Sequence, residues 1–204
     1  KVKQKWDMID ISFESIKEFK KITANTNKII NINYKKFDLI KDIKKFKFEN
    51  YDLITGSAYL DIMPKKWFHE FKKQNLNTKV IYFSINYDGY FKFYPKHKDD
   101  EYVLQLFNKD QESDKGIGKK AVGKNCSQII NKVFTKTHKT FVLNSNWNVS
   151  KNKMFQDMFI NFCENVIKKN KISLEPWIKF RRENIRLNKS KLLLRNKDFL
   201  ALKL

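Results

Sequence analysis

The stretch FENYDLITGSAYLDIMPKKWF, residues 48–68, changes character in its middle. Its apolar run, residues 51–54, stops at four small residues, 55–58, and aromatic residues at helical spacing follow Pro64. In open parallel sheets, ligands bind beyond the carboxyl ends of the strands, where small side chains let a ligand approach the backbone. The stretch therefore predicts a buried strand, a ligand-facing exit and a helix. A turn whose small residues serve close packing, with no ligand, explains the same residues equally well.

Apolar runs and helical periodicities alternate along the rest of the chain. Strands that are apolar at nearly every position and separated by helices are typical of sheets covered on both faces. We therefore predict an α/β fold with a mostly parallel sheet flanked by helices. The predicted strands are residues 5–11, 28–34, 51–56, 78–85 and 140–145, followed by two strands around an RNKD turn within 191–204. The predicted helices are residues 13–22 with Ser12 as N-cap, then 64–74, 100–111, 126–134, 151–169 and 175–187.

The composition fits one domain of 204 residues with a substantial core, since 41% of the residues are apolar. The two cysteines, Cys126 and Cys163, lack metal-ligand spacing, and they predict buried, reduced thiols in a cytoplasmic protein. The three histidines, His69, His97 and His138, are scattered, so we predict no metal site. No apolar run approaches the roughly 20 residues that a membrane span needs, so we expect no membrane partner.

The helix at 151–169 carries methionine and phenylalanine at helical spacing. Such a stripe is typical of a core-facing helix and only rarely marks a cofactor site. We therefore predict that the stripe is buried. Its members are Met154, Phe155, Met158, Phe159, Phe162 and Val166.

The net charge of +21 leaves a nucleic-acid partner open. However, only four of the 43 basic residues are arginine, the side chain whose planar fork suits phosphate, and the lysines are spread along the chain. Ordinary solvated faces are the favoured interpretation of this excess. The segment GKKAVGKN, residues 118–125, nearly spells a phosphate-binding loop, but Asn125 lacks the hydroxyl that binds magnesium. We therefore do not expect nucleotide hydrolysis.

Acidic residues stand at two further strand ends. Asp10 is at the tip of the first predicted strand, and a carboxylate there can accept hydrogen bonds from two ribose hydroxyls. Asp38 follows the second strand, beside Phe37, and can accept from an adenine amino group while its apolar neighbours cover the ring. Together with the small residues 55–58 after the third strand, these side chains predict a nucleoside-shaped pocket along one rim of the sheet.

In this order, WDMIDIS (6–12), YKKFDLI (34–40) and YDLITGSAYLDIM (51–63) resemble the class I S-adenosylmethionine-dependent methyltransferases. They look like the acidic second strand, the adenine-contacting loop, and the fourth strand with its exit. The segment KDFLALKL (197–204) is similar to the final strand of that family. The resemblance implies a Rossmann-like methyltransferase fold over residues 1–204 as a single domain, with an antiparallel C-terminal strand.

The resemblance also implies the cofactor, S-adenosylmethionine, and the residues that would bind it. Asp10 would hold the ribose and Asp38 the adenine, and residues 55–58 would lie along the methionine portion. The whole set is Asp10, Ile11, Phe37, Asp38, Leu39, Thr55, Gly56, Ser57 and Ala58.

A bacterial subgroup of the family has a turn after its fifth strand and an Asn–x–x–Gln…Asp–Lys–Gly loop. The chain matches this loop at Asn108, Gln111, Asp114, Lys115 and Gly116. We take three of these residues, Gln111, Asp114 and Lys115, as candidates for a lid or for substrate recognition.

The residues that follow the fourth predicted strand are our candidates for catalysis. Methyl transfer mainly requires alignment of the acceptor with the methyl group, so few dedicated catalytic residues are needed. Asn86, Tyr87 and Asp88 could orient a nucleophile or take its proton. A plain tight turn with Gly89 explains the same residues.

The chain departs from the family in one respect, because no glycine precedes Gly56. The family has a glycine-rich loop after its first strand, upstream of the ribose acid. We expect that these 204 residues lack that strand and loop, fold poorly alone and bind S-adenosylmethionine weakly. The predicted function is methyl transfer to a small molecule; the alternatives are an RNA-binding protein or RNA methyltransferase, or a non-catalytic interaction module.

Overall fold

The computed structural model describes residues 2–24 and 29–204. The chain divides into two compact units, Lys1–Lys47 and Phe48–Leu204. Lys28, where the sequence predicts the second strand to begin, lies outside the described residues. The single domain over residues 1–204 stays a prediction.

The smaller unit is a strand–helix–strand crossover. Strand β1 (Gln4–Asp10) and strand β2 (Ile30–Lys36) pair in parallel, and helix α1 (Phe13–Thr23) connects them. Ser12 caps α1, since its side-chain oxygen accepts a hydrogen bond of 3.2 Å from the backbone N–H of Ser15. Both predicted strands and the N-cap are confirmed here.

The larger unit contains one mixed sheet with the strand order β3-β4-β7-β5, and β6 pairs with β7 beside this path. Strands β3 and β4 are parallel, and β7 is antiparallel to β4, β5 and β6. The α/β class with an antiparallel C-terminal strand is therefore confirmed. In chain order the elements are β3 (Leu53–Ser57), α2 (Lys65–Gln74), β4 (Val80–Tyr94), α3 (Asp100–Gln111), α4 (Cys126–Phe134), β5 (His138–Asn144), β6 (Trp147–Val149), α5 (Lys153–Lys169), α6 (Glu175–Arg186) and β7 (Lys191–Lys203).

The tight turn predicted at residues 86–89 is wrong, because β4 continues through it to Tyr94. Strand β7 is long enough to pair with both halves of β4, and two irregularities in the register absorb the extra residues. Ile85 and Gly89 lie at these irregularities with positive φ angles of 56° and 78°. The turn-forming residues therefore kink a strand without ending it.

The predicted RNKD turn near the C-terminus is also wrong, because residues 191–203 form the single strand β7. The polar residues that suggested a turn are partnered within the sheet. Arg195 and Lys197 both bind the carboxylate of Asp88 on β4, at 2.5 and 2.8 Å. The two cations thus share one carboxylate inside a continuous strand.

Asp198 of β7 ties three segments of the sheet together. One of its oxygens accepts from the hydroxyl of Tyr82 at 2.7 Å, and the other accepts from the N–H of Ile85 at 2.9 Å and from the hydroxyl of Ser145 at 2.6 Å. Burial alone would raise the pKa of Asp198, but the donated hydrogen bonds outweigh it and lower the pKa. The carboxylate thereby holds the kink of β4 at Ile85.

Two aromatic clusters form the core of the larger unit. Beside β3 and the first half of β4, the ring of Trp67 stacks on Phe71 with centroids 4.7 Å apart. Beside the second half of β4, Phe91 and Phe93 pack with α3, α5 and α6. The fully buried Arg181 of α6 donates to the carbonyl of Pro95 and binds the carboxylate of Asp100, which holds α6 to the start of α3.

The stripe predicted to be core on α5 is buried only in part. Phe159 and Val166 are buried, but Met154, Met158 and Phe162 are 80%, 45% and 51% exposed. These three residues recur every four positions and therefore share one face, which points to solvent. The helix packs on α3 and α6 through a neighbouring face, which consists of Gln156, Phe159, Ile160, Cys163, Val166 and Ile167.

Both cysteines are buried and free, as predicted. Burial is the main cause that raises the pKa of the Cys126 thiol to about 12, and it also raises the pKa of Cys163. Neither thiol is therefore ionised near neutral pH.

We expect Asp198→Asn to destabilise the larger unit. An amide offers one acceptor oxygen in place of two, so at least one of the three donors loses its partner, at a cost of about 1–3 kcal/mol. Urea unfolding at pH 7 measures this loss. Asp52→Asn is the control: Asp52 is exposed, and its carboxylate pairs with the exposed Lys79, so its loss should change the free energy of unfolding by less than about 0.5 kcal/mol.

The pH dependence of the same variant gives a second check. Because the folded-state pKa of Asp198 lies below its ordinary value of 3.8, its stabilisation is present above that value and is lost as the pH falls through the folded-state pKa. The stability difference between wild type and Asp198→Asn should therefore shrink in acid. A difference that stays constant at low pH would contradict the role of the carboxylate.

Candidate functional site

The two predicted nucleoside-binding carboxylates lie at the same edge of the smaller unit. Asp10 ends β1, and it is paired with Lys36 at the end of β2. The backbone carbonyl of Asp10 accepts a hydrogen bond of 3.0 Å from the N–H of Phe37, and Asp38 follows directly. Parallel pairing thus brings Asp10, Phe37 and Asp38 together at the carboxyl ends of both strands.

Each carboxylate uses one oxygen to shape its own turn. Oδ1 of Asp10 accepts from the N–H of Ser12 at 2.7 Å, and Oδ1 of Asp38 accepts from the N–H groups of Ile40 and Lys41 at 2.9 and 3.0 Å. Oδ2 of Asp38 lies 3.9 Å from the ammonium of Lys41. Among the described residues no hydrogen bond is donated to Oδ2 of Asp10, so this oxygen remains available to a ligand.

The apolar candidates lie around these carboxylates. Ile11 is exposed directly after β1, while Phe37 and Leu39 are half-buried. The ring of Phe37 contacts the edge of Phe46, with centroids 5.3 Å apart. Phe37 is therefore fixed in place at the edge.

In the larger unit, the small residues belong to strand β3 itself, and the strand ends at Ser57. Gly56 is paired with Phe83 of β4, and a Cβ added at Gly56 would lie 2.8 Å from a carbon of the Phe83 ring. Packing against Phe83 thus accounts for this glycine. The side chains of Thr55 and Ser57 are exposed, and Ala58 has a positive φ of 51°.

The three catalytic candidates on β4 are occupied by partners within the protein. The buried Asn86 donates to the carbonyls of Phe83 and Lys197, at 3.1 and 3.0 Å. The buried hydroxyl of Tyr87 donates to Asn108 at 2.9 Å, and Asp88 carries the ion pairs with β7. Burial raises the pKa of Tyr87, so its hydroxyl stays protonated. Their catalytic role stays a prediction, and this geometry gives each of them a structural task.

The subgroup loop between α3 and α4 is shaped by its own side chains. Gln111 ends α3, and Oδ1 of Asp114 accepts from the N–H groups of Ile117 and Gly118 at 2.8 and 3.0 Å. The ammonium of Lys115 donates to the carbonyl and the carboxylate of Asp110, at 2.6 and 2.8 Å. A substrate-binding role for this loop stays a prediction.

Asp61 is a buried carboxylate that the sequence analysis did not select. It lies in the 3-10 turn Leu60–Ile62, directly after β3, and is only 9% exposed. Its Oδ1 has no hydrogen-bond partner in the part of the chain that the structure describes. The signal in the sequence is a single acid between two apolar pairs, in AYLDIM.

All four arginines bind carboxylates of the protein itself. The pairs are Arg181–Asp100, Arg182–Glu164, Arg186–Glu183 and Arg195–Asp88. The side chains best suited to grip phosphate are thus already engaged. Over residues 2–24 and 29–204, no helix is long and apolar enough to cross a bilayer, and no three metal-binding side chains gather.

No family model matches the chain, and no curated protein matches it. Solved structures do. Protein BH2331 of Bacillus halodurans, assigned as a methyltransferase, is 9% identical with a TM-score of 0.48, and the match covers 98% of this chain and 91% of that one. Mycolic acid cyclopropane synthase CmaA1, solved with SAH and CTAB, is 8% identical with a TM-score of 0.44, and the match covers 99% of this chain and 78% of that one. A Rhodobacter sphaeroides protein assigned as a zinc-dependent alcohol dehydrogenase is 7% identical with a TM-score of 0.36, and the match covers 100% of this chain and 85% of that one.

Strands β3, β4 and β5 of the larger unit point one way, and β7 lies between β4 and β5 in the opposite direction. This order agrees with the predicted α/β sheet that has an antiparallel C-terminal strand. At these identities and TM-scores, the likeness assigns neither a family nor an acceptor to the chain.

We expect Gly56→Ala to lower stability because its new methyl group meets the ring of Phe83. Overpacking of this kind costs about 1–3 kcal/mol. Thermal unfolding measures this loss of stability. Ser57→Ala, at an exposed position of the same strand, is the control and should change the stability by close to zero. A Gly56→Ala variant with unchanged stability but weakened binding of S-adenosylhomocysteine (SAH) would show that the glycine lets a ligand approach the backbone instead.

Proposed function

We propose that the chain is an S-adenosylmethionine-dependent methyltransferase that acts on a small-molecule acceptor. The observation that carries the proposal is the edge at which Asp10, Phe37 and Asp38 meet. An adenosine needs an acceptor for its ribose hydroxyls, an acceptor for its amino group and an apolar cover, and these three residues supply that set.

The residues of the smaller unit fit the adenosine half of the cofactor. The free Oδ2 of Asp10 can accept from a ribose hydroxyl, and the carboxylate of Asp38 can accept from the adenine amino group. Phe37 and Leu39 supply apolar surface beside them. When bound, the cofactor supplies a methyl group on a sulfonium, whose departing thioether needs no acid.

The protein's own task in such a reaction is to align the acceptor and to exclude water. A small molecule is the acceptor class that we favour, because the chain has few arginines and each of them already pairs with a carboxylate of the protein. The lysine excess then serves as a solvated surface.

We expect Asp10→Asn to weaken SAH binding by at least about tenfold, since a hydrogen bond to a charged group contributes about 1.5–3 kcal/mol. Asp38→Asn should weaken it as well. Isothermal titration calorimetry of the wild type and both variants measures the effect. Asp42→Asn is the matched control, because Asp42 lies in the same unit and its carboxylate pairs with Lys45 on a surface turn.

The dissociation constant of the wild-type protein for SAH tests a second point, namely whether these 204 residues bind the cofactor at all. We expect weak binding by these 204 residues, with a dissociation constant on the order of 1 mM, or about 4 kcal/mol. Equal affinity of the wild type and Asp10→Asn would refute the assigned site. No binding at that concentration would favour a non-catalytic module.

A further inference from the structure

The part of the larger unit's sheet where β3, β4, β7 and β5 lie side by side has two different faces. On one face, Phe83 of β4 is buried and contacts Phe71 of α2, with ring centroids 5.7 Å apart. Phe199 of β7 is buried on the same face and contacts Phe134 of α4 at 6.2 Å. Side chains alternate across a sheet, so the residues between these positions point the other way. We call this second side the open face, and its apolar members are Leu53, Val80, Phe141, Leu143, Leu200 and Leu202.

The strand register brings the apolar members of the open face together. Val80 lies opposite Leu53 of β3 on one side and opposite Leu202 of β7 on the other. In the next row, Phe141 of β5 lies opposite Leu200 of β7. Residues that face each other across neighbouring strands are in side-chain contact distance. The apolar surface is therefore continuous over four strands, although Leu53, Phe141, Leu143 and Leu202 are exposed and Val80 and Leu200 are only half-buried.

The open face is nearly free of charge, in a chain of which 32% of the residues are charged. The charged residues at its positions are Lys139 and Asp198. The ammonium of Lys139 lies over the ring of Phe141, 5.6 Å from the ring centroid. The carboxylate of Asp198 is saturated by the three hydrogen bonds described above. Continuous apolar patches of this kind on a protein surface mark interaction sites.

The distribution of charge indicates which partner fits. An acidic protein or a nucleic acid would be attracted to lysines, and the open face offers only Lys139. Two copies of a chain with a net charge of +21 repel each other wherever their lysines meet. The open face is a surface on which two such copies can meet without bringing lysine clusters together. Its lack of charge therefore favours a second copy of the chain over an anionic partner.

We propose that the open face packs against the open face of a second copy of this chain. The same surface contributes from both copies, so the contact is isologous and closes as a dimer around a two-fold axis. The two sheets would lie face to face about 10 Å apart, with the leucine and phenylalanine side chains interdigitating between them.

The size of the open face sets the strength of the contact. Three rows of side chains on four strands cover roughly 20 by 20 Å, or about 400 Å² per copy, from the spacing of strands and residues in a sheet. A standard stable interface buries about 800 Å² per partner. We therefore expect a reversible dimer with a dissociation constant on the order of 100 μM.

The first test is sedimentation velocity of the full chain from about 10 μM to about 1 mM. We expect the monomer to give way to a dimer, with no larger species. The dimer should become tighter between about 50 and about 500 mM salt, because salt screens the repulsion between the two cationic copies and leaves the apolar contact in place. An interface of ion pairs would show the opposite salt dependence.

The second test places a charge on the open face. Leu143→Lys and Leu202→Lys should each raise the dissociation constant of the dimer at least about tenfold, because an ammonium group would be buried against a cationic copy. Leu143 is 61% exposed, so its replacement leaves the aromatic cluster under the sheet intact. Leu187→Lys is the matched control: Leu187 follows α6, is 43% exposed and lies outside the open face. It adds the same charge and should leave the dissociation constant unchanged.

Melting temperatures of the variants check that each one folds, and Leu143→Lys decides the test if Leu202→Lys does not. A chain that stays monomeric at about 1 mM would overturn the proposal. Equal weakening by Leu143→Lys and Leu187→Lys would overturn it too, since net charge and not the open face would then govern association. A dimer that loosens with salt, or species that grow beyond a dimer, would contradict the isologous apolar contact. A monomer that cosediments with phosphatidylcholine vesicles, and no longer does so as Leu143→Lys, would assign the open face to a lipid surface instead.

Discussion

The pairing of β7 along the whole length of β4 is the constraint on which the larger unit depends. It forces a kink at Ile85, where the backbone takes a conformation that is costly for a branched residue. The carboxylate of Asp198 compensates by accepting the N–H of Ile85 together with two hydroxyl hydrogens. Because the kink re-aims β4, its first half packs with α2 and α4, and its second half packs with α3, α5 and α6.

The carboxylates of this chain fall into groups with different physical roles. Asp88 and Asp198 are saturated by cations or donors and fasten strands to each other. Asp10 and Asp38 each give one oxygen to a local turn at the end of a parallel strand pair, and the other oxygen of Asp38 lies 3.9 Å from the ammonium of Lys41. Asp61 has neither arrangement. The number of donors around a carboxylate thus distinguishes the strand-fastening residues from the others in a way that residue type alone does not.

Much of the fold could be predicted because most elements follow simple periodicities. Helix α4 was predicted at its observed bounds, and the N-cap Ser12 marks the start of α1. The errors share one cause. Residues typical of turns, at 86–89 and 195–198, lie within strands because their side chains find partners on a strand distant in sequence. The prediction that the whole stripe on α5 is buried was wrong for a related reason. Periodicity indicates that a helix face is apolar, but it does not indicate which apolar face the neighbouring elements cover. At the site, strand ends located Asp10 and Asp38, whereas the orphaned oxygen of Asp61 becomes visible only when its surroundings are folded.

The outward face of α5 has a chemical consequence. Met154 and Met158 present their thioethers to solvent, whereas Met63 is fully enclosed. Peroxide converts accessible thioethers to sulfoxides, which are polar and poorly suited to packed interiors. Oxidation would therefore begin on a helix surface that already faces water, and it would leave the aromatic clusters intact. The helix can in this way consume oxidant at little structural cost.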